Sequence, residues 1–120
     1  DLDLVLRLVS VGPVVHAPGA VSDYRTHAGN VTRRHRELTA AIRRVLVTRG
    51  ADDADPAHVP AYRESMRAND RYAWWAAARA ARAARGRAVV TAWARELGWA
   101  LRFAPAAPAD ALRRRLLRPR

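Results

Sequence analysis

Gly12-Pro13-Val14-Val15-His16-Ala17-Pro18-Gly19, with Val21 to His27 behind it, decides whether this chain mixes strands with helices or is helical throughout. The first run is short, β-branched and closed by a Pro-Gly turn signal, and the second is a further extended segment. Prolines sit at the margins, where a missing N–H costs a ladder little. Both runs are therefore expected to form short strands. The segment before them, Asp1-Leu2-Asp3-Leu4-Val5-Leu6-Arg7-Leu8-Val9-Ser10-Val11, fits two patterns. Leu2, Leu4, Leu6 and Leu8 alternate like a strand, while Leu4, Val5, Leu8 and Val9 fill one helical face. Gly12-Pro13 supplies a helix stop and favours a buried helix.

Downstream, every signal is helical. Thr32 suits the cap of a helix through Val47, with Leu38, Ala41, Ile42, Val45 and Leu46 on one face. Asp55 and Pro56 suit the cap and first position of the next helix. A helix from about Val59 to Arg85 carries Tyr62, Met66, Ala73, Ala77, Ala80 and Ala84 on one seam and ends near Gly86. Another, from Arg87 to Phe103, places Val90, Trp93, Leu97 and Leu101 at helical spacing before Pro105 and Pro108. Leu112, Leu116 and Leu117 fall in a last turn or two. Small alanine faces allow close helix approach, so the second half is expected to be an antiparallel hairpin or small bundle. Residue choice shifts near Gly50, dividing the chain into residues 1–50 and an Ala/Arg-rich 51–120. The fold class expected is mainly α with two short β-strands.

Composition narrows the function classes. The 120 residues carry 22 basic against 11 acidic side chains, a formal +11, and every basic residue is arginine. Of the 60 apolar residues 27 are alanine, and Leu, Ile, Val and Phe total 25, only just above the ~20% at which a charged chain reads as disordered. A thin core follows. With no cysteine there is no disulfide framework, zinc ribbon or thiol nucleophile. No apolar run approaches the ~18 residues of a membrane span. The start at Asp1, without Met or a signal-like succession, suggests a truncation.

Two stretches carry chemistry: Asp1-Leu2-Asp3-Leu4-Val5-Leu6-Arg7-Leu8, and Tyr24-Arg25-Thr26-His27-Ala28-Gly29-Asn30-Val31-Thr32. Together they resemble the C-terminal part of the catalytic domain of family 2 glycosyltransferases of the GT-A fold. In that family an acidic pair runs into D-x-D-L-x-L-R-L, then G-x-V-x-x-x-P, then Y-R-x-H-x-x-N-x-S. Here Asp1, Asp3, Leu4, Leu6, Arg7, Leu8, Gly12, Val14, Pro18, Tyr24, Arg25, His27 and Asn30 follow in order, with Thr32 for the usual Ser. The likeness covers Asp1 to Val47, and makes 1–50 the end of such a catalytic domain and 51–120 a helical extension. Each motif is short; their ordered succession gives the specificity.

The resemblance implies that the parent completes an α/β nucleotide-sugar-binding fold and transfers a sugar from a nucleotide donor to an acceptor hydroxyl with inversion. Asp1 corresponds to the base, Asp3 to a supporting carboxylate, and Arg25 and His27 to the donor diphosphate, with His27 also a ligand for a divalent cation, Mg or Mn. A planar guanidinium suits a diphosphate because its fork bonds two oxygens. The family's nucleotide-binding half and its upstream D-x-D are not in these residues, so the resemblance implies a fragment inactive alone. Asp53-Ala54-Asp55 spells that motif, but after the candidate base, and reads as a helix cap. Leu2 and Val5 stand where the family often has aromatics for acceptor stacking. A cytoplasmic setting, peripheral to the inner face of the membrane, would suit such an enzyme.

Plainer readings stand beside these. Asp1 fits a solvated carboxylate at a helix N-terminus, His27 a surface turn, Arg25 a pair with Asp23, and Arg7 a side chain snorkelling from an apolar helix. An exposed cleft wall would leave Leu4 and Leu8 wet unless a partner covers them. The rival function is a small basic helical binding or membrane-surface module without catalysis. Arg63, Arg67 and Arg71 recur at i+4, Trp74 and Trp75 follow, and Arg113-Arg114-Arg115 with Arg118 and Arg120 make a basic tail. Such helices suit anionic membranes, and no nucleic-acid-binding motif accompanies them.

Overall fold

The computed structural model describes residues 2–9, 11–13, 15, 18–19, 34–52 and 55–116, except for the side chains of 114 and 115. Five α-helices follow one another: α1 (Leu2–Val9), α2 (His35–Asp52), α3 (Val59–Arg82), α4 (Ala88–Phe103) and α5 (Ala107–Leu116). A 3-10 turn, Pro56–His58, leads into α3, its Asp55 carboxylate accepting the Ala57 N–H at 2.8 Å.

The mixed fold class is corrected: among the described residues the chain is all-helical, with no strand. Of the first expected strand, Pro13, Val15, Pro18 and Gly19 are described and none is in one. Gly12-Pro13 and Pro18-Gly19 leave only four residues between them. Val15 is 85% exposed, and Gly19 turns the backbone at φ +94°. So short a run, flanked by residues that lack an N–H, gives a ladder almost nothing to hold. The second expected strand, Val21 to His27, lies outside the described residues, as does Thr32.

Pairing is antiparallel along α2–α3–α4. Gly50 abuts Tyr62, the Asn69 amide donates to the Thr39 carbonyl at 3.0 Å, and Arg43 pairs with Asp70, so α2 runs against α3. α3 stops at Arg82, and Gly86, at φ +58°, takes the left-handed conformation that reverses the chain into α4. Trp74 on α3 donates its indole N–H to the Ala104 carbonyl at 2.8 Å, satisfying an acceptor at the end of α4. Arg71 reaches Asp110 at 3.1 Å and so fastens α5 to the same helix.

The core is alanine. Among the described residues the buried apolar side chains are Leu46, Ala73, Ala76, Ala77, Ala81, Ala100, Ala104 and Ala107. Seven of these eight are alanine, and side chains that small at a seam allow helix axes to approach toward the short end of the usual 8–10 Å. The expected seam of α3 holds at Ala73 and Ala77, while Tyr62, Met66, Ala80 and Ala84 are half-buried. In α4 the face differs from the expected one. Glu96 and Ala100 are buried, whereas Val90 and Leu101 are 76% and 52% exposed. At a buried helix–helix face a methyl takes little room, whereas a leucine would hold the helices apart.

α1 is helical, which removes the strand alternative, but it is not buried: Leu4, Val5, Leu8 and Val9 are each about half exposed. Replacing Ala77, fully buried, by Leu should destabilise the chain by about 1–3 kcal/mol through overpacking. Ala68→Leu, on the exposed side of α3, should stay within about 0.5 kcal/mol. Thermal unfolding followed by circular dichroism separates the two; equal losses would show that the alanine seam is not the packing surface.

Candidate functional site

Of the residues singled out by the sequence, Asp1, Arg25 and His27 lie outside the described residues, so the structure neither joins nor separates them. Asp3 is described, in the first turn of α1. One of its carboxylate oxygens accepts from Arg7 at 2.9 Å within the helix, and the other from Arg49 of α2 at 2.8 Å. The hydrogen bond from Arg49 and the charges of both guanidiniums outweigh partial desolvation and hold the Asp3 carboxyl below the usual aspartate range. Both oxygens are thus committed to cations, and the group is a weak base. Asp3 ties α1 to α2.

Beside this tie is a hollow of about 260 Å³ between α1, α2 and the start of α3, lined by Leu6, Val9, Leu46, His58, Ala61, Tyr62 and Ser65. Its lining is mostly apolar, with Tyr62, Ser65 and His58 among it, and it is smaller than the usual range for small-molecule sites. Asp55 serves as the cap that its spacing suggested, and Asp53 lies outside the described residues. Among the described residues no three histidines or carboxylates come together as a metal-binding group.

The densest polar cluster is one that no motif marked. Glu96, 4% exposed on α4, accepts from Arg36 at 2.9 Å and Arg95 at 3.1 Å, and its Oε2 lies 3.2 Å from His35 Nε2. An ionised carboxylate only accepts, so His35 Nε2 carries the proton in this contact. Burial pushes the Glu96 carboxyl up, but Arg36, Arg95 and His35 together pull it below the ordinary glutamate value of 4.5. Around it the His35 ring meets Trp99 edge-on at 5.2 Å, Trp99 stacks on Phe103 at 5.1 Å, and the Arg43 guanidinium covers Phe103 at 3.9 Å. Saturated by cationic partners, Glu96 cannot act as a base; it is the clamp between the start of α2 and the middle of α4. One sequence signal could have found it: Glu96 is the only acidic residue between Asp70 and Asp110.

Comparison with protein-family models, curated proteins and solved structures finds no match for this chain. Among the described residues, no helix is long and apolar enough to cross a membrane.

The Glu96 clamp has a defined pH signature. Its folded-state pKa lies below the unfolded value, so its stabilisation is complete above about pH 4.5 and is lost as pH falls through the folded value. Glu96→Gln should cost about 1–3 kcal/mol at pH 7, toward the lower figure because Arg36 and Arg95 are partly solvated. It should also flatten the decline in thermal stability as pH falls below about 5. Melting temperatures of both proteins across that range test this, and parallel curves would refute it.

Proposed function

We propose that this chain is part of an inverting glycosyltransferase, which moves a sugar from a nucleotide-sugar donor to an acceptor hydroxyl, and contributes its base and residues that meet the donor diphosphate. The observation that carries the reading is the state of Asp3. In the acidic pair Asp1-x-Asp3, the second carboxylate is held by Arg7 and Arg49 and is too weakly basic to take a proton at neutral pH. The resemblance gives the base's role to Asp1, and the weak basicity of Asp3 and the helical form of Leu2–Val9 are compatible with that alignment.

In this reading the Asp1 carboxylate removes the acceptor hydroxyl's proton as that oxygen attacks the anomeric carbon. The bond from that carbon to the diphosphate breaks on the opposite face, and the nucleoside diphosphate leaves with the bonding pair. Arg25 and His27 meet the charge that builds on the diphosphate oxygens. A divalent cation, Mg or Mn, would neutralise part of the same charge when bound near His27; no step here passes through it. The setting this implies is cytoplasmic, at the inner face of a membrane where lipid-linked acceptors are exposed.

The test uses the protein encoded by the whole reading frame, assayed for nucleoside diphosphate release from a panel of nucleotide sugars with and without acceptor lipids. Asp1→Asn should lower kcat by about 10²–10⁴-fold while donor affinity changes little. Undiminished turnover in that variant, or no release from any donor by the native protein, would overturn the reading.

A further inference from the structure

The arginines of this chain divide into two classes. Arg36, Arg43, Arg49, Arg71 and Arg95 are each held by a carboxylate. Arg71, read from sequence as part of a basic stripe, bridges Glu64 at 2.9 Å and Asp110 at 3.1 Å, and Trp74 is turned inward to Ala104. Arg79, Arg82, Arg85 and Arg87 are different. All four are exposed, and none forms an ion pair with a carboxylate among the described residues. No acidic residue occurs from Arg71 to Arg95.

Their placement is orderly. Trp75, Arg79 and Arg82 follow at i, i+4 and i+7 and so share one face of α3, opposite the buried Ala73, Ala77 and Ala81. The Arg79 guanidinium lies over the Trp75 ring at 5.3 Å. Arg85 and Arg87 flank Gly86 in the turn, and Val90, 76% exposed, opens α4 just beyond. Trp75 is 53% exposed. The α3–α4 turn thus combines four uncompensated cations with an indole and a branched aliphatic side chain, all facing solvent.

We propose that this turn docks the chain on an anionic lipid surface, the arginines engaging headgroup phosphates while Trp75 and Val90 enter the headgroup–acyl boundary. The charges are complementary to such a surface, and arginine forks suit phosphate oxygens. Tryptophan favours that boundary, and the exposed valine gains there what it lacks in water. A polynucleotide fits less well. Within 71–95 the polar residues other than arginine are Tyr72 and Thr91. Tyr72 packs against Trp75 and Thr91 bonds the Ala88 carbonyl, so neither is directed at a base edge. This proposal uses none of the residues assigned to sugar transfer, and either can fail alone.

The experiment is flotation of the 120-residue chain with vesicles of phosphatidylcholine alone or with about 30% phosphatidylglycerol, at low and high salt. Partitioning onto the anionic vesicles should exceed that onto neutral ones by at least about tenfold and fall with salt. Replacing Arg79, Arg82, Arg85 and Arg87 by Gln should abolish that preference. Replacing Arg44, Arg63, Arg102 and Arg113 by Gln removes the same charge away from the turn and should leave most of it. Trp75→Ser should weaken binding several-fold, and native Trp fluorescence should shift to the blue on vesicles. Equal losses in the two fourfold variants, at unchanged helicity, would overturn the proposal. So would binding to duplex DNA through the same four arginines without vesicle binding.

Discussion

Close approach of helices through alanine is the constraint on which the rest of this structure depends. Ala73, Ala77 and Ala81 of α3 are buried, as are Ala100 of α4 and Ala104 just after it, and a methyl-sized layer yields only about 0.8 kcal/mol per buried group. Such a core determines spacing better than it provides stability. Cohesion passes to the rim, where guanidiniums, carboxylates and rings lie within reach of one another because the axes are near. Glu96 is the clearest case: it spans sixty residues of sequence to Arg36 and His35, and those contacts need α4 tight against its neighbours.

That division also separates what the sequence made legible from what it did not. Helix existence and ends were readable wherever local chemistry decides them. Asp55-Pro56 opens the turn before α3, Gly86 reverses the chain, and Pro105 follows α4. The face that α4 buries was not readable, because hydrophobic spacing favoured Val90, Trp93, Leu97 and Leu101, whereas the burial of Glu96 is decided by partners on α2. The strand reading at Pro13 to Gly19 failed for a related reason: β-branched residues indicate a strand only where another strand can pair with them. The candidate site was proposed from the types and order of residues, and only Asp3 of its members falls among the described positions. Arg49, its partner on α2, had no signal at all, since nothing local distinguishes it from the other arginines.

Arginine is used here in two ways by one fold. Where a carboxylate is near, the guanidinium acts as a fastener between helices, as Arg43, Arg49 and Arg71 do. Where acids are missing from the sequence, as they are between Arg71 and Arg95, the same side chain stays in water and gives that end of the α3–α4 hairpin its field. A composition biased to alanine and arginine thus needs only the positions of its few acids to separate interior scaffolding from outward-facing charge.

An interior made of methyl groups has a thermodynamic corollary. Unfolding uncovers little hydrocarbon and much peptide and charged surface, and these change the heat capacity in opposite directions. The free energy of this bundle should therefore vary gently with temperature, forming a low, broad arch. Cold would weaken it less than it weakens proteins that rely on leucine and phenylalanine.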